Sequence, residues 1–263
     1  MIALLAPGQG SQTEGMLSPW LQLPGAADQI AAWSKAADLD LARLGTTAST
    51  EEITDTAVAQ PLIVAATLLA HQELARRCVL AGKDVIVAGH SVGEIAAYAI
   101  AGVIAADDAV ALAATRGAEM AKACATEPTG MSAVLGGDEP AKARVRALGV
   151  AGAFHTEFMA PALDGFAAAA ANIATADPTA TLLSNRDGKP VTSAAAAMDT
   201  LVSQLTQPVR WDLCTATLRE HTVTAIVEFP PAGTLSGIAK RELRGVPARA
   251  VKSPADLDEL ANL

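Results

Sequence analysis

Ser91 is the residue of this chain best placed to do chemistry. It lies in Gly89-His90-Ser91-Val92-Gly93, after the apolar run Val85–Ala88 and before the Ala-rich stretch Ile95–Ile104. A strand, a sharp turn and a helix around Gly-x-Ser-x-Gly make a nucleophile elbow, with the serine hydroxyl exposed at the tip. Gly89 and Gly93 leave room for the tight turn. The helix that follows offers its positive dipole end to developing negative charge. The plainer reading is a strand–helix turn whose serine only caps the helix.

A serine hydroxyl needs a base, and the chain has four histidines. His90 adjoins Ser91, and neighbouring elbow residues point different ways. His71 falls mid-helix, where a half-buried polar role suffices. His155 follows the strand-like 150–154 stretch and precedes Thr156, a helix-capping type, so it sits at a chain reversal where site residues tend to gather. His221 closes a helical stretch, where an imidazolium would meet the C-terminal dipole. An acid usually orients the base. Asp164, Asp177 and Asp187 follow His155, none in a context that singles it out, and Asp187 reads as a turn residue. The residues support a Ser91–His155 pair and leave the orienting group open.

Alternating elements must position this pair. Strands are expected at Ile2–Ala6, Val85–Ala88, Met131–Leu135, Val145–Phe154, Thr181–Ser184 and Val223–Phe229. Helical spacing runs over Ala26–Leu44, Pro61–Leu80, Asp107–Ala123, Leu163–Ala176, Leu201–Gln207, Pro208–Glu220 and Thr234–Arg244. Strands alternating with helices predict an α/β fold with a mostly parallel sheet covered on both faces.

Composition narrows the function. The chain has 263 residues, 51% hydrophobic and 18% charged, enough for one large α/β domain or a domain with a small insert. Aromatics are 3%, so Ala, Val, Leu and Ile must fill the core. A net charge of −9 argues against nucleic acid, which needs a basic face. Cys78, Cys124 and Cys214 lack metal-ligand spacing and fit reduced, cytoplasmic thiols. Met1–Ala6 carries no basic residue and stops at Pro7, which reads as a first strand. The apolar stretch Ile95–Ala106 is too short to span a bilayer, so no membrane role is expected.

In order and spacing, the motifs resemble the malonyl-CoA:acyl carrier protein transacylases of type II fatty acid synthesis, relatives of polyketide synthase acyltransferase domains. The resemblance rests on Pro7-Gly8-Gln9-Gly10-Ser11-Gln12, Gln60-Pro61 opening a helix, Gly89-His90-Ser91-Val92-Gly93-Glu94 and Thr115-Arg116-Gly117. Further on, it rests on Gly152-Ala153-Phe154-His155-Thr156, Ser184-Asn185 with Asp187-Gly188, and Gln204 ahead of Pro208-Val209-Arg210-Trp211. It implies an α/β-hydrolase-like parallel-sheet core with an inserted ferredoxin-like subdomain. It implies Ser91 as acylated nucleophile, His155 as base and Gln204 as its orienter through a carbonyl oxygen. The backbone N–H groups of Gln9 and Val92 would form the oxyanion hole. Arg116, 116 − 91 = 25 residues past the nucleophile, would hold the malonyl carboxylate with paired charge-assisted bonds. Gln60 and Phe154 would line the substrate site, and the Ala153-Phe154-His155 signature goes with malonyl over methylmalonyl use. The implied partners are malonyl-CoA and acyl carrier protein, with no cofactor and no metal. The rival is a serine hydrolase of the α/β-hydrolase type using His221 with Asp164 or Asp187.

The pattern departs from the family at two places. Glu228-Phe-Pro-Pro-Ala-Gly233 stands where Glu-x-Gly-Pro-Gly is usual. More consequential, Gly130 and His155 are only 155 − 130 = 25 positions apart. A βαββαβ insert needs about 60 residues, since one βαβ unit takes about 30. The division expected is a catalytic body, 1–129 and 156–263, with 130–155 as remnant first and last strands of the insert. Either the insert is truncated or the numbering closes over a stretch near 137–141, and the second reading spares the cleft an exposed wall. Lys240, Arg241, Arg244, Arg249 and Lys252, with Lys142, Arg144 and Arg146, form the basic clusters expected to meet an acidic carrier protein.

Overall fold

The computed structural model describes residues 1–136 and 144–263. Among the described residues seven strands form: β1 Ile2–Ala6, β2 Val85–Gly89, β3 Ser132–Leu135, β4 Arg144–Ala147, β5 Thr181–Leu183, β6 Ala225–Glu228 and β7 Ala248–Ala250. The helices are α1 Ala26–Ala37, α2 Leu41–Leu44, α3 Thr50–Thr54, α4 Thr56–Arg76 and α5 Gly93–Ile100. They continue with α6 Ala106–Thr126, α7 Leu163–Ala170, α8 Ala194–Ser203, α9 Trp211–Glu220 and α10 Thr234–Glu242.

Five strands build a parallel sheet in the order β5-β2-β1-β6-β7, with Ala6 opposite Gly89 at the β1–β2 carboxyl end. Side chains alternate between faces. Ile2, Leu4 and Ala6 enter the larger core with Val87 and Val227, while Ala3 and Leu5 pack with Ile86 and Ile226 on the other side. Both faces are thus buried, as parallel strands with crossover helices require. The carboxyl ends of such strands are where ligands bind in open α/β sheets, and Ser91 lies there. Glu228, at the end of β6, accepts backbone N–H bonds from Gly233, Leu235 and Ser236 at 2.9, 2.9 and 2.8 Å, satisfying the orphan donors at the start of α10. No helix described is long and apolar enough to cross a membrane.

The two 21-residue helices, α4 and α6, lie against each other over much of their length. Gly117 permits this, because a Cβ there would come within 2.7 Å of the Thr56 carbonyl. That approach carries the preceding residue, Arg116, into the core.

Several boundaries differ from expectation. The 26–44 stretch is two helices, broken where Asp38 adopts a left-handed φ of 53°. Pro61 lies inside α4 rather than opening it, because the Asp55 side chain caps the helix at Ala57 N–H. The strand expected to reach Phe154 ends at Ala147, with two glycines, Gly149 and Gly152, in the segment that follows. β7, three residues long, was not anticipated.

Among the described residues β3 and β4 pair only with each other, antiparallel, with Val134 opposite Val145, in a sheet separate from the main one. Val134 is 66% exposed and Val145 70%, and Leu135 and Leu148 are also exposed. The expectation that the numbering closes over a stretch near 137–141 falls on residues outside those described. Lys142 and Gly137–Pro140 lie outside the described residues.

Candidate active site

The elbow is held by close backbone packing. Ser91 has a left-handed φ of 55°, strained for a non-glycine residue. A Cβ on Gly89 would lie 2.1 Å from the Gly93 carbonyl oxygen, and one on Gly93 would lie 2.2 Å from the Ala6 carbonyl oxygen. Asn185, just past β5, fixes the turn from below. Its Oδ1 accepts the Ser91 N–H at 2.8 Å and its Nδ2 donates to the Gly89 carbonyl at 2.6 Å. The Ser91 N–H is therefore committed. Among the described residues the backbone N–H groups of Gln9 and Val92 donate to no protein acceptor. They are free to donate to a group from outside the protein, as an oxyanion site needs.

His155 Nε2 lies 2.7 Å from Ser91 Oγ. Its Nδ1 lies 2.9 Å from the backbone carbonyl of Gln204. A carbonyl only accepts, so Nδ1 carries the proton and Nε2 is left to accept from the serine. Burial, with the Arg116 charge beside it, pulls His155 down to about 4, so the imidazole is neutral and basic at ordinary pH. The orienting atom is thus the main-chain oxygen of Gln204, which any residue would supply there, and not its side chain.

The other histidines stand apart from the nucleophile. The His90 ring meets Trp211 edge-on at 5.5 Å between centroids, and burial holds it near 4. The His71 ring packs edge-on against Phe229 at 5.7 Å, buried and also held near 4. His221 caps the C-terminus of α9 through its backbone. Among the described residues, His155 is the imidazole within hydrogen-bond reach of Ser91, so the hydrolase arrangement through His221 is not formed. Asp187 serves a turn, accepting the Lys189 N–H at 3.1 Å.

Arg116 is 1% exposed. One terminal nitrogen donates to Gln60 Oε1 at 2.7 Å. The other donates to Gln204 Oε1 at 2.7 Å and reaches Ser91 Oγ at 3.4 Å. Its Nε–H finds no protein acceptor. Burial lowers it to about 10, opposed by the charge of Glu94, and it stays cationic at neutral pH. A buried guanidinium against the nucleophile with a donor to spare is built to receive an acceptor from outside the protein. Gln60 also donates to Met120 Sδ at 3.3 Å, fixing its amide. Phe154, beside the base, is buried in the larger core.

Glu94 went unassigned from the sequence, where an acid early in a helix reads as a dipole complement. It is fully buried. Its two oxygens accept the Asn185 N–H at 2.7 Å and Gln204 Nε2–H at 2.5 Å. Burial raises it to about 7, against the pull of those bonds and the Arg116 and Arg186 charges. Asn185 had appeared only inside a motif. The signal for both was the unbroken run Gly89–Glu94 and the polar pair Ser184-Asn185 ending an apolar strand.

The acyl transferase domain model matches residues 4–146. The malonyl CoA-acyl carrier protein transacylase of Mycobacterium tuberculosis is 87% identical over 302 aligned positions, covering all of both chains. The crystal structure of MCAT from that organism superposes with a TM-score of 0.97, again over the whole of both. A malonyl-transacylase solved with its type II PKS acyl-carrier protein is 28% identical, with a TM-score of 0.89 over 99% of each chain. The first alignment has 302 positions against 263 residues, so 302 − 263 = 39 positions have no residue here. Since 263 of 302 is itself 87%, that gap matches the whole shortfall in identity. The chain belongs to the acyl transferase domain family, among its malonyl CoA-acyl carrier protein transacylases.

Proposed function

We propose that this chain moves a malonyl group from malonyl-CoA to the phosphopantetheine thiol of acyl carrier protein through an acyl-enzyme on Ser91, supplying malonyl units for fatty acid elongation. The observation that carries the reading is the 2.7 Å contact between Ser91 Oγ and His155 Nε2 beside a buried arginine. Arg116 takes the malonyl carboxylate. His155 accepts the Ser91 proton as Oγ attacks the thioester carbon. The oxyanion rests on the Gln9 and Val92 N–H groups. The C–S bond breaks, and the CoA thiolate leaves with the proton from His155. The carrier thiol then gives its proton to His155, attacks the acyl-serine, and Ser91 recovers its proton as the new thioester forms.

Every step is proton or acyl transfer between groups already named, so the cycle calls on no cofactor. Phe154 and Gln60 wall the acyl pocket. Phe154 leaves little space beside the α-carbon, which favours malonyl over methylmalonyl by about 1–3 kcal/mol. The reaction is set in the cytoplasm, in keeping with three free cysteines.

The finer architecture we read is an α/β-hydrolase-like body, 1–129 and 156–263, carrying a ferredoxin-like insert shortened to its outer strands within 130–155. The separate β3–β4 ribbon and the 39 unmatched positions support this reading.

The test is to incubate the chain with malonyl-CoA and with acetyl-CoA and weigh it. A malonyl mass on Ser91 that is discharged by holo carrier protein is expected. A chain that hydrolyses malonyl-CoA without passing the acyl group on would sink the transferase reading.

A further inference from the structure

Glu94 takes no part in the cycle above, yet it is the acid wholly enclosed beside it. It is the second residue of α5, three past the nucleophile. The Gln204 amide lies between it and Arg116, with Nε2 toward Glu94 at 2.5 Å and Oε1 toward Arg116 at 2.7 Å. A carboxylate only accepts and a guanidinium only donates, so this amide has one satisfied orientation. Turned over, it would set its NH2 against the NH2 of Arg116 and its oxygen against a carboxylate. Nε2 also donates to the Ser91 carbonyl at 3.1 Å, so loss of the charge on Glu94 leaves that weaker hold and loosens the acceptor that draws Arg116 toward Ser91.

We propose that ionised Glu94 is a positioning residue for acyl-group selection: through Gln204 it holds the Arg116 guanidinium where a substrate carboxylate meets it. The proposal rests on Arg116 being the malonyl clamp. Glu94 also accepts the Asn185 N–H, so a purely structural role at the elbow is the competing account. The two differ in what they predict. A structural role acts on every acyl donor alike, whereas a positioning role acts on donors that carry a carboxylate.

The charged and titratable groups facing Glu94 are Arg116 from α6, Arg186 from the turn after β5, Tyr98 from its own helix and Cys214 from α9. Burial pushes Tyr98 well above its usual value and Cys214 up to about 12, so both stay neutral near pH 7, and Arg116, lowered only to about 10, stays charged. Glu94, raised to about 7 by burial, is the member of this set that changes charge there. Its ionised form is the one that selects. The preference for malonyl is therefore present above that pH and lost as pH falls through it. His155, near 4, imposes its own loss on both donors only at lower pH.

The experiment measures kcat/KM for acylation of Ser91 by malonyl-CoA and by acetyl-CoA from about pH 5 to about pH 9, a quantity that reports the free enzyme. In the unaltered chain the malonyl-to-acetyl ratio should fall as pH drops through about 7. Glu94→Gln should lower that ratio at least about tenfold and flatten its pH dependence, and Glu94→Asp should regain part of both. Gln204→Met, which cannot bridge the two charges, should lower the ratio likewise and add little to Glu94→Gln, as partners in one network do. If Glu94→Gln slows both donors equally, or leaves the pH dependence of the ratio in place, the proposal is overturned. Should Glu94→Gln fail to fold, an unaltered ratio in Gln204→Met overturns it alone. Arg116→Ala separates the premises: a ratio unmoved there removes the clamp itself, while a collapsed ratio there with intact ratios in the other variants refutes only the role of Glu94.

Discussion

Arg116 and the pair Arg144 and Arg146 show two opposite ways to carry an arginine. Arg116 is buried, with its terminal nitrogens held by Gln60 and Gln204 and a carboxylate close behind. Arg144 and Arg146 stand in water on a two-stranded ribbon, beside Val145, itself 70% exposed. A cation leaves water only where dipoles and charge replace the solvent. The seam around Ser91 is therefore a network in which each group depends on its neighbours. An isolated two-stranded ribbon is marginal and tolerant of change. The exposed ribbon and the seam around Ser91 answer to different physics, and mutations should separate them.

The largest effect should come from the base. His155→Ala should cut acylation of Ser91 about 10³-fold or more, for malonyl and acetyl donors alike, because no other imidazole reaches the serine. Near-normal burst acylation in this variant would mean the seam has another base. Arg116→Ala comes next. Removing one partner of a buried charged contact costs roughly 2–5 kcal/mol, so malonyl transfer should fall by orders of magnitude and acetyl transfer far less. Equal losses would take the clamp role away.

Gln204→Ala should cost acylation by acetyl-CoA clearly less than His155→Ala does. The atom that orients His155 is a backbone oxygen, which the substitution keeps. Parity between the two variants would show that the side chain governs the base after all. Charge reversal at Arg241 and Arg244, both exposed near the end of α10, is expected to raise KM for carrier protein and weaken its salt dependence, with smaller change in acylation by malonyl-CoA. A carrier KM that ignores salt in both proteins would exclude that face. The smallest effect belongs to the ribbon. Val134→Thr with Val145→Thr should move unfolding free energy by no more than about 0.5 kcal/mol, the usual range for exposed sites. A larger loss by denaturant titration would show that the ribbon packs against the body and erase the contrast.

Much of the seam was legible because its parts are contiguous. A β-type run ending in Gly-x-Ser-x-Gly fixes strand, turn and helix within ten residues, and β1, β2 and α5 follow from it. Features set by side-chain capping or main-chain atoms were harder to read. Asp55 begins α4 five residues before Pro61, because a capped first turn wins over proline's preference for the helix start. The His155–Gln204 contact uses a carbonyl that has no residue type to announce it. Glu94 drew no assignment from the sequence, since burial is a property of the assembled layers and not of one helix. β7 is too short for any alternation to show.

His155 hangs on the end of α6 by residues 127–154, a tether that includes the ribbon. On the reading proposed above, which sets the 39 unmatched positions in that tether, the relatives close a loop more than twice as long to bring the same imidazole to the same serine. Closing entropy grows slowly, by about 0.6 kcal/mol for each doubling. The shorter tether here costs a little less to close, and it shortens the sequence separation over which Ser91 and His155 must find each other. In folding terms the shorter tether lowers contact order where Ser91 and His155 meet.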